Sequence, residues 1–464
     1  MAAHLANGIP TRLLMWQRVR AYAVPPSMIE TSTVRRTAGD WAGACAAARV
    51  DVDLDLRAVR RRHGTEVTAQ LRADLRRLAP DLLRWHMPRV APDGRLRPGL
   101  TLTLARYRGA VPLQLVVRTP PAWADAGQRM ALALWEESGD GDPGPHPHPH
   151  PDRRFRLDLH RHLWDAGRSR ELAWRSSWGR ARGADDADSS WARERWAPEA
   201  ELMFRADGLP RGAFTVRLGP RSRTVLELVA PDDSHVPTVR PLREQPPAQE
   251  VAALPVLPEA AARVLPDLEL VRAGLVPVDR LHPLVAAALA VHRPEVETAA
   301  PAPEVRDPHR VECRGQVHRI ALRDGVLTAV DHDPAQLRRE ELLVVLGGPP
   351  LPCLRAIDAV HRNPEELPAV RERLGHGDVV GALAVVEALL GPGAVLRDGP
   401  LREELESAAA RRLEHGLYRS GLVPEHPAAE VAEEGRRPRL DRRIPHEMRR
   451  KRNRRARPRT GLAV

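Results

Sequence analysis

Apolar residues change their spacing several times along this chain, and each change marks a new kind of element. From residue 11 to about 90 they recur at three- and four-residue intervals, which predicts helices, with Thr33–Ala48 and Glu66–Leu83 the clearest runs. From 96 to 135 the segments LRPGLTLTLARY, VPLQLVVRT and QRMALALW predict strands separated by Gly or Pro turns. RFRLDLHRHLW at 154–164 alternates Phe155, Leu157 and Leu159 with charged neighbours, the pattern of a half-buried strand. AFTVRLG and RTVLELVA at 213–230 predict a hairpin closed by GPRS. Short Leu/Ala/Val helices broken by Pro follow at 251–298, strands return at 309–332, and helices run from Pro334 to Tyr418.

These elements define an α+β protein. The expected domains are an N-terminal helical segment at 10–95, a Trp-containing antiparallel sheet domain at 96–230 and a proline-rich linker at 231–250. A mostly helical domain at 251–420, with a small sheet near 309–332, and a disordered basic tail at 421–464 complete it. All ten Trp lie between Trp16 and Trp196 and the last Phe is Phe214, so two regions with different cores are expected. AGDWAGACAAA at 38–48 and GHGDVVGALAVV at 375–386 both place Gly-Asp before a small-residue helix. Two distant copies do not make a solenoid, and helix capping accounts for the likeness.

Charge alters the picture at one end only. The formal net charge of the 464 residues is +11, yet residues 436–459 hold 13 basic and two acidic side chains, which leaves positions 1–435 formally neutral. A basic isoelectric point would point to nucleic acid, and the partition confines that implication to the tail. The single lysine, Lys451, lies in the tail, which excludes a Schiff-base or Walker lysine from the body. Cys45, Cys313 and Cys353 are odd in number and far apart, no disulfide framework, so a reducing, cytoplasmic setting is expected. No uncharged stretch of 18 residues is present to span a bilayer, and no membrane partner is expected.

Candidate chemistry is sparse. His146, His148 and His150 alternate with proline and could chelate a metal, but the run GDGDPGPHPHPHPD reads better as an exposed loop. His309, Cys313, His318 and His332 include zinc donors without the paired knuckle that zinc modules use. Asp51, Asp53 and Asp55 would share one face of a strand and read as an exposed acidic face beside a buried one. Asp185, Asp186 and Asp188 lack the calcium-loop pattern. Cys45 reads as packed, and Cys353 precedes a helix with no identifiable base. Phosphate-loop, nucleophile-elbow, zinc-protease and dinucleotide motifs are missing from the body, so no catalytic residues and no cofactor are expected.

Trp174, Trp178, Trp191 and Trp196 stand among arginines, a combination suited to a protein interface as well as to a sheet core. In RRKRNRRARPR, the groups Arg449, Arg450, Lys451, Arg452, Arg454, Arg455, Arg457 and Arg459 repel one another until an anion meets them, which makes RNA or DNA a candidate partner. TRLLMWQRVRAYAVPPSMIE, RRTAGDWAGACAAARVDVDLDL and LAPDLLRWHMPR together resemble an uncharacterised Streptomyces-type family of actinobacterial proteins, over roughly residues 10–120. What the resemblance implies is a gene neighbourhood with MoxR-type AAA ATPases and von Willebrand-type proteins, hence an AAA ATPase system as partner; it carries no catalytic residues. The leading expectation is a non-catalytic cytoplasmic adaptor or scaffold with an anion-binding tail. The alternatives are a nucleic-acid-associated protein acting through that tail, and an enzyme with its site in the N-terminal sheet domain.

Overall fold

A computed structural model describes residues 5–6, 9–109, 111–136, 146, 148–179, 190–219, 222–230, 235–242, 246–290, 310–313, 316–323, 326–329, 332–346, 352, 354, 368–390 and 400–421. The chain divides into two compact units, residues 1–294 with 414–464, and residues 295–413. The architecture is mixed α+β, with N-terminal helices, a small mixed sheet and further helices toward the C-terminus. Among the described residues no helix is long and apolar enough to cross a membrane.

The first unit opens with helices Thr11–Tyr22, Pro26–Thr37, Trp41–Ala47, Leu56–Arg77 and Pro80–His86. The long helices expected over Thr33–Ala48 and Glu66–Leu83 are each two. Gly39 takes a left-handed φ of +82°, and the Asp40 carboxylate then caps the next helix by accepting from the Gly43 amide at 2.8 Å. The second break follows Leu78, an extended residue, and Pro80 starts the new helix where its missing N–H costs nothing.

Strands Thr101–Tyr107, Leu113–Arg118 and Met130–Glu136 pair antiparallel as expected. Val50–Asp53 adds a fourth strand, parallel to Met130–Glu136, so the sheet is mixed and draws on the segment expected to be purely helical. RFRLDLHRHLW is not a strand. It makes one bridge, Thr103 to Arg156, and then a short turn of helix at Arg161–Leu163. Its alternation instead drops Phe155 and Leu157 into the core while Arg156 pairs Asp158 and Asp207.

The hairpin Ala213–Arg217 and Arg223–Val229 forms as expected, and Thr238–Pro241, from the expected linker, joins it as a third strand. Residues 251–290 also depart from expectation. Leu265, Leu268, Leu270, Val285 and Leu289 belong to the same core as Leu71, Leu82, Trp85, Leu102 and Leu132. Loss of aromatic residues therefore marks no domain boundary, since leucine and valine fill the same core. Trp196, Phe204, Phe214, Leu226 and Leu257 form a smaller second cluster.

In the second unit, strands Arg310–Cys313, Gln316–Arg323 and Val326–Ala329 form an antiparallel meander. Helices Pro368–Gly375 and Val379–Leu390 pack through Val370, Leu374, Ala382 and Val386. Their turn repeats the one at Gly39–Asp40: Gly377 has φ +77°, and Asp378 caps by accepting from the Gly381 amide. An arginine five residues before each capping carboxylate pairs with it, Arg35 with Asp40 at 3.1 Å and Arg373 with Asp378 at 2.8 Å.

A candidate anion-binding cavity

Helix Thr11–Tyr22 carries Arg12, Trp16 and Arg20 at four-residue spacing, which aligns them on one face. Helix Pro80–His86 ends in His86, and a short ribbon follows in which Arg89–Val90 pairs with Arg95–Leu96. The ribbon supplies Arg89, and Arg97 lies one residue past its end. Phe155 and Leu157 close one wall, and residues 259–266 another. Together they line a half-open cavity of about 160 Å³, room for on the order of ten waters. Met15, Met87, Leu102, Phe155, Leu163 and Val264 make most of its surface apolar.

Arg20 is 5% exposed, donates to the Trp85 carbonyl at 2.6 Å and to Asp267 Oδ2 at 2.8 Å, and stacks on the Trp85 ring at 4.5 Å. Asp267 also accepts from Trp85 Nε1 at 2.9 Å. His86, its side chain 2% exposed, stands 3.9 Å from Asp267, beyond hydrogen-bond reach. Arg89 donates to the Arg84 carbonyl at 2.8 Å, and Arg97, 5% exposed, lies 5.7 Å from the Phe155 ring centre. Four buried nitrogens of lining residues have no hydrogen-bond partner among the described residues: Arg20 Nε, His86 Nε2, Arg89 Nε and Arg97 Nη2.

Burial dominates the acid–base behaviour of these groups. It pulls His86 down to about 3, so the imidazole is neutral at physiological pH. Arg89 falls to about 9 through burial and the neighbouring charge of Arg20, and Arg97 falls through burial and Arg154 against the attraction of Glu259 and Asp152. Both guanidiniums remain charged near neutrality. Such a set can do one thing well: it can solvate a negative group in place of water.

A second buried polar cluster makes the contrast. Glu199 accepts two bonds from Arg175 Nη2, at 2.9 and 2.7 Å, and pairs with Arg195 and with His160 Nε2 at 3.1 Å. Those bonds hold its carboxyl well below the usual carboxylate range against the opposing effect of burial. In that cluster the charges meet a carboxylate directly, although Arg195 Nε has no acceptor among the described residues, and the pairing holds helix Arg193–Asp207 to its neighbours. Ser32, Asp81 and His282 also meet, but the hydroxyl donates to the carboxylate at 3.2 Å rather than to the imidazole, which is no nucleophile–base pair.

The residues singled out by sequence are scattered. Trp174 is 62% exposed, Trp178 is half-buried and donates to the Leu289 carbonyl, and Trp196 is buried with its N–H on the Ala262 carbonyl. Trp191 packs edge-on against Trp196 and under Arg263. His146, expected in an exposed loop, is buried instead: its Nε2 contacts the Thr119 carbonyl at 2.9 Å, and its Nδ1 accepts from the His148 amide. Among the described residues no group of three or more His, Cys, Asp or Glu is arranged to hold a metal. His318 and His332 stack face to face at 3.9 Å.

The three aspartates expected to form one exposed face divide their work. Asp51 pairs with Arg129 and with His415 at 3.2 Å, Asp53 pairs with Arg419, and Asp55 caps helix Leu56–Arg77. Cys45 is buried as expected, and burial pushes its thiol up to about 12. The basic tail 449–459, the aspartates at 185–188 and Cys353 lie outside the described residues.

Sequence reading missed the cavity because its donors come from two segments more than 60 residues apart, in a chain where arginine is common everywhere. The signal that was available is MPRVAPDGRLRPG, a proline- and glycine-bounded ribbon carrying three arginines beside leucine and valine. The chain matches no protein-family model, no curated protein and no solved structure.

Proposed function

We propose that the protein is a non-catalytic binding protein whose first unit holds a small organic anion with an apolar body. The observation that carries this reading is that Arg20, His86, Arg89 and Arg97, which line one largely apolar cavity with Glu259, each keep a buried nitrogen without a hydrogen-bond partner among the described residues. An unpaired buried charge costs several kcal/mol, and sites that bind charged ligands are where folds retain such a cost. The apolar walls would take the body of the ligand and the guanidiniums its charged head.

Calorimetric titration of the full chain with aromatic anions and their uncharged analogues tests this. Anions should bind, uncharged analogues should not, and Arg97→Gln should weaken binding at least tenfold. Equal affinity for charged and uncharged probes would overturn it.

The adaptor reading keeps one support, Trp174, whose ring stands largely in solvent with the Arg175 guanidinium 5.6 Å from its centre. Under that reading Trp174→Ala removes capture of the protein partner, whereas deletion of 436–464 removes only nuclease-sensitive binding. Capture undiminished by Trp174→Ala would exclude Trp174 from the interface.

A further inference from the structure

A second cavity, of about 310 Å³, shares no lining residue with the first. Its floor is the four-stranded sheet. Arg106, Gln114 and Trp135 are cross-strand partners in one row over three neighbouring strands, so their side chains leave the same face. Leu113 and Leu115 leave the opposite face and enter the main core. Trp135 supplies the ring of this cavity, and His150 stands edge-on to it at 6.0 Å.

Two polar groups of opposite kind are fixed beside that ring. The Thr103 hydroxyl donates to Gln114 Oε1 at 2.9 Å, which occupies the acceptor end of the carboxamide and leaves Nε2 as a donor. Asp207 is held by two guanidiniums. Its Oδ1 accepts from Arg106 Nη1 at 2.9 Å and Arg156 Nη2 at 3.1 Å, and its Oδ2 accepts from Arg156 Nη1 at 3.0 Å. A carboxylate can accept about four hydrogen bonds, so Oδ2 keeps a lone pair.

We propose that this cavity binds a sugar, a pyranose whose C–H face lies on the Trp135 indole while two neighbouring hydroxyls meet Gln114 Nε2 and Asp207 Oδ2. A hydroxyl both donates and accepts, so a vicinal pair satisfies a donor and an acceptor together, which an apolar ring or a lone carbonyl does not. The indole turns its electron-rich face to the slightly positive C–H groups. Because the carboxamide and the carboxylate are already oriented by Thr103, Arg106 and Arg156, little ordering is left for the ligand to drive.

Saturation-transfer NMR and titration of the full-length protein test this with methyl α-D-glucopyranoside, methyl α-D-mannopyranoside and methyl β-D-galactopyranoside. Sorbitol, which has the hydroxyls without the ring, is the control. At least one glycoside should bind, its ring C–H protons taking most of the saturation, and sorbitol should bind about tenfold more weakly. Trp135→Leu and Gln114→Glu should each weaken the glycoside about tenfold, whereas Arg97→Gln in the first cavity should leave it unchanged. Gln114→Glu retains the acceptor for the Thr103 hydroxyl, so it tests the donor on a folded chain even where Trp135→Leu unfolds. No binding by any of the three glycosides, equal binding of sorbitol, or undiminished binding by a folded variant at 114 or 135 would overturn the proposal. Loss of binding with Arg97→Gln alone would place the sugar in the first cavity and overturn it as well.

Discussion

Arg97 has an amino group enclosed by protein with nothing to accept its hydrogen bond, and that fact has a measurable cost. Replacing it with leucine removes a buried donor that lacks an acceptor, so the ligand-free protein should gain about 1 kcal/mol, read as a higher denaturant midpoint. A loss of stability would show the donor to be matched. The opposite holds at Glu199, where the Arg175 and Arg195 guanidiniums would be left facing each other beside His160: Glu199→Ala should cost about 3–5 kcal/mol. Histidines give a pH dependence. His86 is lowered by burial from 6.5 to about 3 and His146 to about 4, while His162 lies well below its ordinary value. Between those values and 6.5 the unfolded chain binds protons that the folded chain does not. Their contribution is therefore complete above 6.5 and is lost as pH falls toward the folded values, by up to about 1.4 kcal/mol per unit for each group. Urea midpoints measured from pH 7 to pH 5 should fall steeply, and a flat profile would contradict the burial of these rings.

Helix pairs in both units turn on the same device. A left-handed glycine, a capping aspartate, an arginine five residues before it and a glycine three residues after it recur at 35–43 and 373–381. The later glycine is required because a Cβ at Gly43 or Gly381 would collide with the capping carboxylate. Asp40→Ala should destabilise by about 1 kcal/mol, and Gly43→Ala should cost at least as much although alanine ordinarily favours helix. Thermal unfolding of the two variants checks this, and a stabilising Gly43→Ala would refute the collision. The motif was visible as an echo in the chain, and its meaning is local, which is why sequence could show it. RFRLDLHRHLW misled for the same reason. Alternation reports which side chains are buried, and the pairing that would make a strand depends on a neighbour that meets this segment at one residue only.

For the first unit as a whole, the last turn of helix Pro400–Arg419 is a tie. Tyr418 sets its ring edge-on to Trp123 at 5.5 Å, His415 Nδ1 contacts the Ala124 carbonyl at 3.0 Å, and Arg419 pairs with Asp53. Despite the burial that opposes it, Asp51 is held below the usual carboxylate range by His415 and Arg129. His415→Ala should raise hydrogen exchange at Leu417–Arg419 about tenfold with little change in the sheet amides, since a terminal turn opens without unfolding the core. Unchanged exchange would show that Tyr418 alone suffices. By itself the sequence determined the mixed α+β class, the three antiparallel strands over 101–136, the hairpin at 213–229, the meander at 310–329 and the packed state of Cys45, because period, turn residues and apolar content are local properties. Only the tertiary structure decided that Val50–Asp53 joins the sheet in parallel, that 251–290 completes the first core, and that each aspartate of DVDLD has a different partner. It also decided the cavity. Which arginines are matched by carboxylates depends on side chains up to about 250 positions apart, as with Arg20 and Asp267, and spacing along the chain holds no record of that pairing.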